Sequence, residues 1–168
     1  MLMSLPATAR ATVDSASLEI GSGRKVQMAR VAAQSKWEKR WFQSNGTHLG
    51  GYWDLSLAQW RGSAHQDVKD RHQYLTGIGF TPVFRFQADD MKRWYVEGGI
   101  GIHMLSKLYD NDADMLSTKF QFGDHIGAGY VFPSGWEAGL QLQHFSNGGI
   151  KRPNSGVNFL VFKLARPF

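Results

Sequence analysis

The sequence predicts an all-β protein, an eight-stranded antiparallel transmembrane β-barrel, and three observations support this. Segments along most of the chain alternate with period two, the mark of strands with one apolar face. The opposite face is small or hydrogen-bonding throughout, which suits the narrow interior of an eight-stranded barrel. Aromatic residues (Trp94, Trp136, Tyr130 and Phe132) sit near the ends of apolar faces, as they do in interfacial girdles.

The elements follow in chain order. Residues 1–11 are set apart from the fold. Ala9-Arg10-Ala11 has the small-x-small form of a signal-peptidase site, but a basic region and most of an apolar core are missing. The segment reads either as a signal-peptide remnant or as a frayed tail. A single barrel domain then spans 12–168. Strands are expected near 15–21, 25–40, 48–60 and 71–87. The second is the least regular: Val26 and Met28 are apolar at even positions, whereas Val31, Ala33 and Trp37 are apolar at odd ones, which predicts a bulge. In the fifth, Trp94, Val96, Ile100, Ile102 and Met104 oppose Tyr95, Glu97, Gly99, Gly101 and His103. The sixth sets Phe120, Phe122, Ile126, Ala128, Tyr130 and Phe132 against Gln121, Gly123, His125, Gly127 and Gly129. The seventh opposes Trp136, Ala138, Leu140 and Leu142 to Glu137, Gly139, Gln141 and Gln143. The last carries Leu160, Phe162, Leu164 and Phe168 on one face.

No helical segment recurs between these strands, which disfavours a parallel α/β sheet. A soluble sandwich would hide the apolar faces; a membrane barrel turns them toward lipid. The terminal Phe168, on an apolar face, resembles the C-terminal signal of bacterial outer-membrane proteins. An even strand count puts both termini at the periplasmic side. The segments near 21–24, 61–70, 105–119 and 147–157 then become extracellular loops. The chain has no cysteine, so it carries no disulfide framework and no thiolate metal site. A net charge of +5 suits an anionic surface or a nucleic acid without choosing between them, because the lysines and arginines form no long block.

The stretch "HFSNGGIKRPNSGVN", from His144 to Asn158, carries the chemistry. His144 and Ser146 continue the series of Leu140 and Leu142, so both project outward, at the extracellular end of the seventh strand. Side chains two apart on a strand are same-face neighbours about 7 Å apart at Cα. A histidine so placed can deprotonate a serine for nucleophilic attack. "HFSNGGIKRPNSG", the terminal strand ending in Phe and "FGDHIGAGYVF" resemble the PagL family of outer-membrane lipid A 3-O-deacylases. The resemblance covers the strand pattern of nearly the whole chain and is most specific from Asp124 to Phe168. It implies a Ser-His-Glu site on the outer barrel surface, with Ser146 as nucleophile and His144 as general base. Asn154 and the Gly149 amide become candidates for holding the oxyanion, and Asn147 for ordering the site. Ordinary turn chemistry explains the same asparagines and glycine.

The family's glutamate falls twelve positions after the serine, where this chain has Asn158. Parity from Phe168 keeps that position on the outer face, so the geometry survives and the charge does not. If residues 133–135 form a three-residue turn, Asp124 falls directly across from His144, with Cβ atoms about 5 Å apart. Asp124 is then a candidate substitute acid; the alternative is an anchoring role. The resemblance implies a lipid A or lipopolysaccharide substrate in the outer membrane, with the site toward the outer leaflet. It implies no cofactor, no metal and no nucleic acid, and leaves the oligomeric state open, a homodimer included. A catalytically weak or inactive barrel with a structural or adhesive role is the alternative reading. His103 and His125 are expected to face the lumen. The acidic loop "YDNDADM" lacks the glycine and distal glutamate of an EF-hand.

Overall fold

The computed structural model describes residues 12–90 and 93–168, so the expected leader remnant at 1–11 lies outside the described residues. Eight long staves form one closed antiparallel barrel. They are β1 (Ser15–Gly23), β2 (Val26–Lys36), β4 (Thr47–Gly62), β5 (Gln73–Ala88), β6 (Trp94–Leu105), β9 (Phe120–Val131), β10 (Glu137–Ser146) and β11 (Val157–Pro167). β1 pairs with both β2 and β11, and the β2–β4 pairing completes the ring. Short β3 (Trp41–Ser44) continues β2 along β4. A hairpin of β7 (Tyr109–Asn111) and β8 (Asp114–Leu116) stands in the connection between β6 and β9.

The faces alternate as a membrane barrel requires. Ile100, Ile126 and Leu142 are each about two-thirds exposed on the outside. Only a bilayer makes so many exposed apolar side chains favourable. Inside, charges are buried in pairs. Arg30 lies between Glu19 and Asp54. Arg85 reaches Glu97 and Glu137, each at 2.8 Å, while Lys163 Nζ meets Glu97 at 3.0 Å and Tyr52 Oη at 2.7 Å. Buried ions are tolerable only in such arrangements, where each cation has its anion and its hydrogen bonds.

The bulge expected within β2 does not form where the sequence placed it. The register runs unbroken from Gly23↔Val26 to Ser15↔Gln34, and β2 pairs with β4 without a shift through Lys36↔Tyr52. Val26 and Met28 keep the parity of Arg30 and Gln34 and point inward. They are apolar because that end of the lumen is filled by an apolar cluster that includes Trp60, Leu105, Phe145 and Phe159. The irregularity comes after Lys36, where residues 37–40 leave the ladder and Trp37 lies against Gly51 on the outer wall.

Two connections position the site. At 132–136 the Phe132 N–H donates to the Trp136 carbonyl (2.8 Å), and Gly135, at φ +85°, closes a three-residue turn. That turn sets the β9–β10 register. At the other end the acidic loop is a clasp: Asn111, fully buried, accepts from the Ala64 N–H (2.8 Å) and donates to the Lys25 carbonyl (3.1 Å). Arg24 pairs with Asp112 at 2.7 Å in the same clasp.

Candidate active site

His144 sits on the outer face of β10 between two neighbours. Asn158 of β11 and Asp124 of β9 both pair directly with it. The ring commits to one of them: Nδ1–H donates to Asn158 Oδ1 at 2.7 Å. An amide oxygen only accepts, so Nδ1 carries the proton, and in the neutral ring Nε2 is the acceptor. Asp124, from the opposite strand, makes no hydrogen bond or ion pair with the ring among the described residues.

Ser146 lies two positions on, half-buried, on the same outward face. It pairs with Phe122 of β9 and stands beyond the last β10–β11 pair, Phe145↔Val157, where the strands part and the loop begins. Among the described residues the hydrogen-bond partner of His144 is Asn158, not Ser146. Gly156, at φ +78°, lies over the imidazole: a Cβ there would meet His144 Cε1 at 2.6 Å. Sequence reasoning missed this residue, because "NSGVN" reads only as a turn.

The loop after Ser146 is organised by Asn147, which is fully buried. Its Nδ2 donates to the Lys151 carbonyl (2.7 Å), its Oδ1 accepts from the Gly149 N–H (3.0 Å), and its own N–H donates to Asn154 Oδ1 (2.9 Å). The Gly149 amide is therefore already engaged within the loop. Asn154 is held through its oxygen, which leaves Nδ2 as a donor without a protein partner among the described residues. The Leu116↔Asn154 bridge and the Ser155 N–H to Met115 carbonyl bond (3.1 Å) tie this segment to the neighbouring hairpin.

Beside His144 and Asn158 an open groove of about 820 Å³ runs across the outer wall of β11, β10, β9, β6 and β5. Its walls include Ile126, Leu142, Leu160 and Phe84, and Gly98 leaves its floor bare. Apolar surface with a polar pair at one end fits a long alkyl chain bearing a reactive head. Among the described residues no three His, Asp or Glu side chains converge to hold a metal ion.

The family described as lipid A 3-O-deacylase (PagL) matches residues 27–167. The chain belongs to the PagL family. It is 32% identical over 137 residues to the lipid A deacylase PagL of Pseudomonas aeruginosa, covering 81% of this chain and 75% of that protein. It is also 32% identical over 157 residues to the PagL of Bordetella bronchiseptica, covering 92% and 83%. The crystal structure of the outer membrane enzyme PagL superposes with a TM-score of 0.79 at 27% identity, covering 92% of this chain and 99% of that one. Neisserial surface protein A shares the fold alone, with a TM-score of 0.57 at 12% identity. This PagL-family chain is an outer-membrane barrel.

Proposed function

We propose that this protein is a serine esterase that removes the 3-O-linked acyl chain of lipid A in the outer leaflet. The observation that carries the reading is the His144 Nδ1–H to Asn158 Oδ1 bond on the lipid-facing wall, two residues from Ser146 on the same face, which in the neutral ring leaves Nε2 free to accept a proton. Ser146 Oγ attacks the ester carbonyl while His144 Nε2 takes its proton. The oxyanion is held by Asn154 Nδ2 and by N–H groups of the loop ordered by Asn147, with the Gly149 amide available if it exchanges its bond to Asn147. The intermediate collapses, the glucosamine oxygen leaves with the imidazolium proton, and water then releases the fatty acid from Ser146. The negative charge facing His144 comes from Asp124 on the opposite strand, in place of the glutamate that this chain lacks.

Membership of a lipid A 3-O-deacylase family supports this reading, as does the groove. The neutral Asn158 favours a second reading, a small barrel with a structural or adhesive role. Mass spectrometry of lipid A decides between them. Cells making the protein are expected to lose one 3-hydroxyacyl chain from lipid A relative to cells lacking it. Unchanged lipid A with correctly inserted protein overturns the esterase.

Gly156→Ala gives an independent prediction. The new methyl group displaces the imidazole, and an error of about 1 Å in a catalytic group costs about 10²-fold in rate. The expected result is a fall of that order in kcat in detergent micelles, with heat-modifiable migration of the folded barrel retained.

A further inference from the structure

A second polar site lies on the outer wall, away from the groove. Arg61 is the sole charged residue of the outward series of β4, which also holds Trp53, Leu55, Leu57 and Gln59. Its direct cross-strand partner on β2 is Gln27, and the partner of Gln27 on β1 is Ser22. All three side chains are exposed. Toward the end that carries the termini, the same outward series turn apolar, at Ile20, Val31 and Leu57. The row therefore sits at the edge of the apolar band, where lipid headgroups begin. A cation at that depth pairs with a protein carboxylate or with a lipid phosphate. Among the described residues no carboxylate pairs with Arg61 or Lys25, and the neighbouring Asp112 is taken by Arg24 at 2.7 Å.

The surroundings hold the two cations in place. Arg61 Nη2 donates to His72 Nε2 at 3.1 Å, and His72 Nδ1–H donates to the Gly62 carbonyl at 3.3 Å. An arginine only donates, so this histidine accepts from it and orients it. Lys25 is fixed through its backbone, at φ +53°. Its carbonyl accepts from the Ser63 N–H (2.9 Å), Ser63 Oγ (3.2 Å) and Asn111 Nδ2 (3.1 Å). A lysine stays in the left-handed region only where its neighbours determine it. Ser22, Lys25, Gln27, Arg61, Ser63 and His72 line a cavity of about 240 Å³ that no carboxylate enters. The Ser22 and Gln27 side chains have no hydrogen-bond partner among the described residues, which leaves both as donors beside the cations.

We propose that this cavity binds a phosphate of a lipid A headgroup, on a molecule distinct from any held at Ser146. Arg61 and Lys25 supply the charge, and Gln27 and Ser22 donate beside them. Arginine bonds to phosphate are charge-assisted and bidentate, which suits an oriented guanidinium at a headgroup boundary. Position separates this site from the catalytic one. From β11 to β4 the ring takes three of its eight strand steps, so Asn158 and Arg61 face different sides of the barrel. A headgroup with its ester at Ser146 does not also fill this cavity. The proposal stands whether or not Ser146 is a nucleophile: it makes the barrel a lipid A-binding surface on the side opposite its chemistry.

The test uses purified full-length protein in detergent micelles, with bound lipid counted by native mass spectrometry. The probes are lipid A lacking its 3-O chain, so that no ester remains there to cleave, and the same lipid stripped of its phosphates. Wild type is expected to bind the phosphorylated probe about tenfold or more tighter. Arg61→Gln combined with Lys25→Gln should erase that preference. Ser146→Ala should leave it intact, as should Lys151→Gln combined with Arg152→Gln on the loop after Ser146. Gln27→Glu sets a carboxylate directly across from Arg61 and should erase the preference without removing a cation, which keeps the test open if the double variant does not insert. Equal affinity of wild type for the two probes overturns the proposal. So does a preference that survives in folded Gln27→Glu or in the Arg61 and Lys25 double variant. An equal loss from the Lys151 and Arg152 changes also overturns it, because net positive charge would then be the cause.

Discussion

Ser146→Ala is expected to abolish release of the 3-O-linked chain, lowering kcat by on the order of 10⁴- to 10⁶-fold. In the proposed mechanism Ser146 Oγ is the atom that becomes the acyl-enzyme. The oxyanion donors and the groove remain, so a small residual rate over water is expected. The fold should not notice. Ser146 is the last residue of β10, half-buried, and small enough that its replacement leaves no cavity of consequence. Surface substitutions of this kind stay within about 0.5 kcal/mol. His144→Ala should cost nearly as much, and the double variant little more than either, because groups that act as one unit are not additive. Lipid A mass spectrometry and heat-modifiable migration, run on the same samples, separate lost chemistry from lost folding. Deacylation persisting in Ser146→Ala would exclude this serine as the nucleophile.

The barrel was legible in the sequence because one physical rule governs most of its length. Outward residues meet lipid and inward residues meet a narrow polar lumen, so parity alone assigns faces from Trp94 to Phe168. Parity failed in β2 because the rule changes near one end of the barrel, where Val26 and Met28 join an apolar plug inside it. The turn at 132–136 was readable from Pro-Ser-Gly chemistry, and it carried the β9–β10 register with it. Register alone left the choice at His144 open, because Asn158 and Asp124 are both its direct neighbours. Side-chain reach decides it, and reach is not written in a strand pattern. Gly156 was invisible for a similar reason: its role depends on a ring brought to it from a different strand.

Asn158→Glu is expected to raise kcat by about 10²-fold. In serine hydrolases generally, exchanging the acid for its amide costs about 10⁴-fold, because the imidazolium loses the charge that stabilises it and the ring loses its correct tautomer. Here the second loss does not apply: Asn158 Oδ1 already accepts from Nδ1–H at 2.7 Å, so the ring is oriented and Nε2 is free. What remains to be gained is charge, and under the role proposed for Asp124 part of it comes from the opposite strand, so the gain falls short of the full factor. Asn158 is exposed at the start of β11, which gives a longer glutamate room to bend back to Nδ1. Because imidazolium forms only as the reaction proceeds, the gain should appear in kcat with KM little changed. The double variant with Asp124→Asn closes the argument. If the two carboxylates serve the same imidazolium, Asp124→Asn costs less in the Asn158→Glu background than in wild type. If its cost is equal in both, Asp124 contributes nothing to the charge at His144, and Asn158 works by orientation alone.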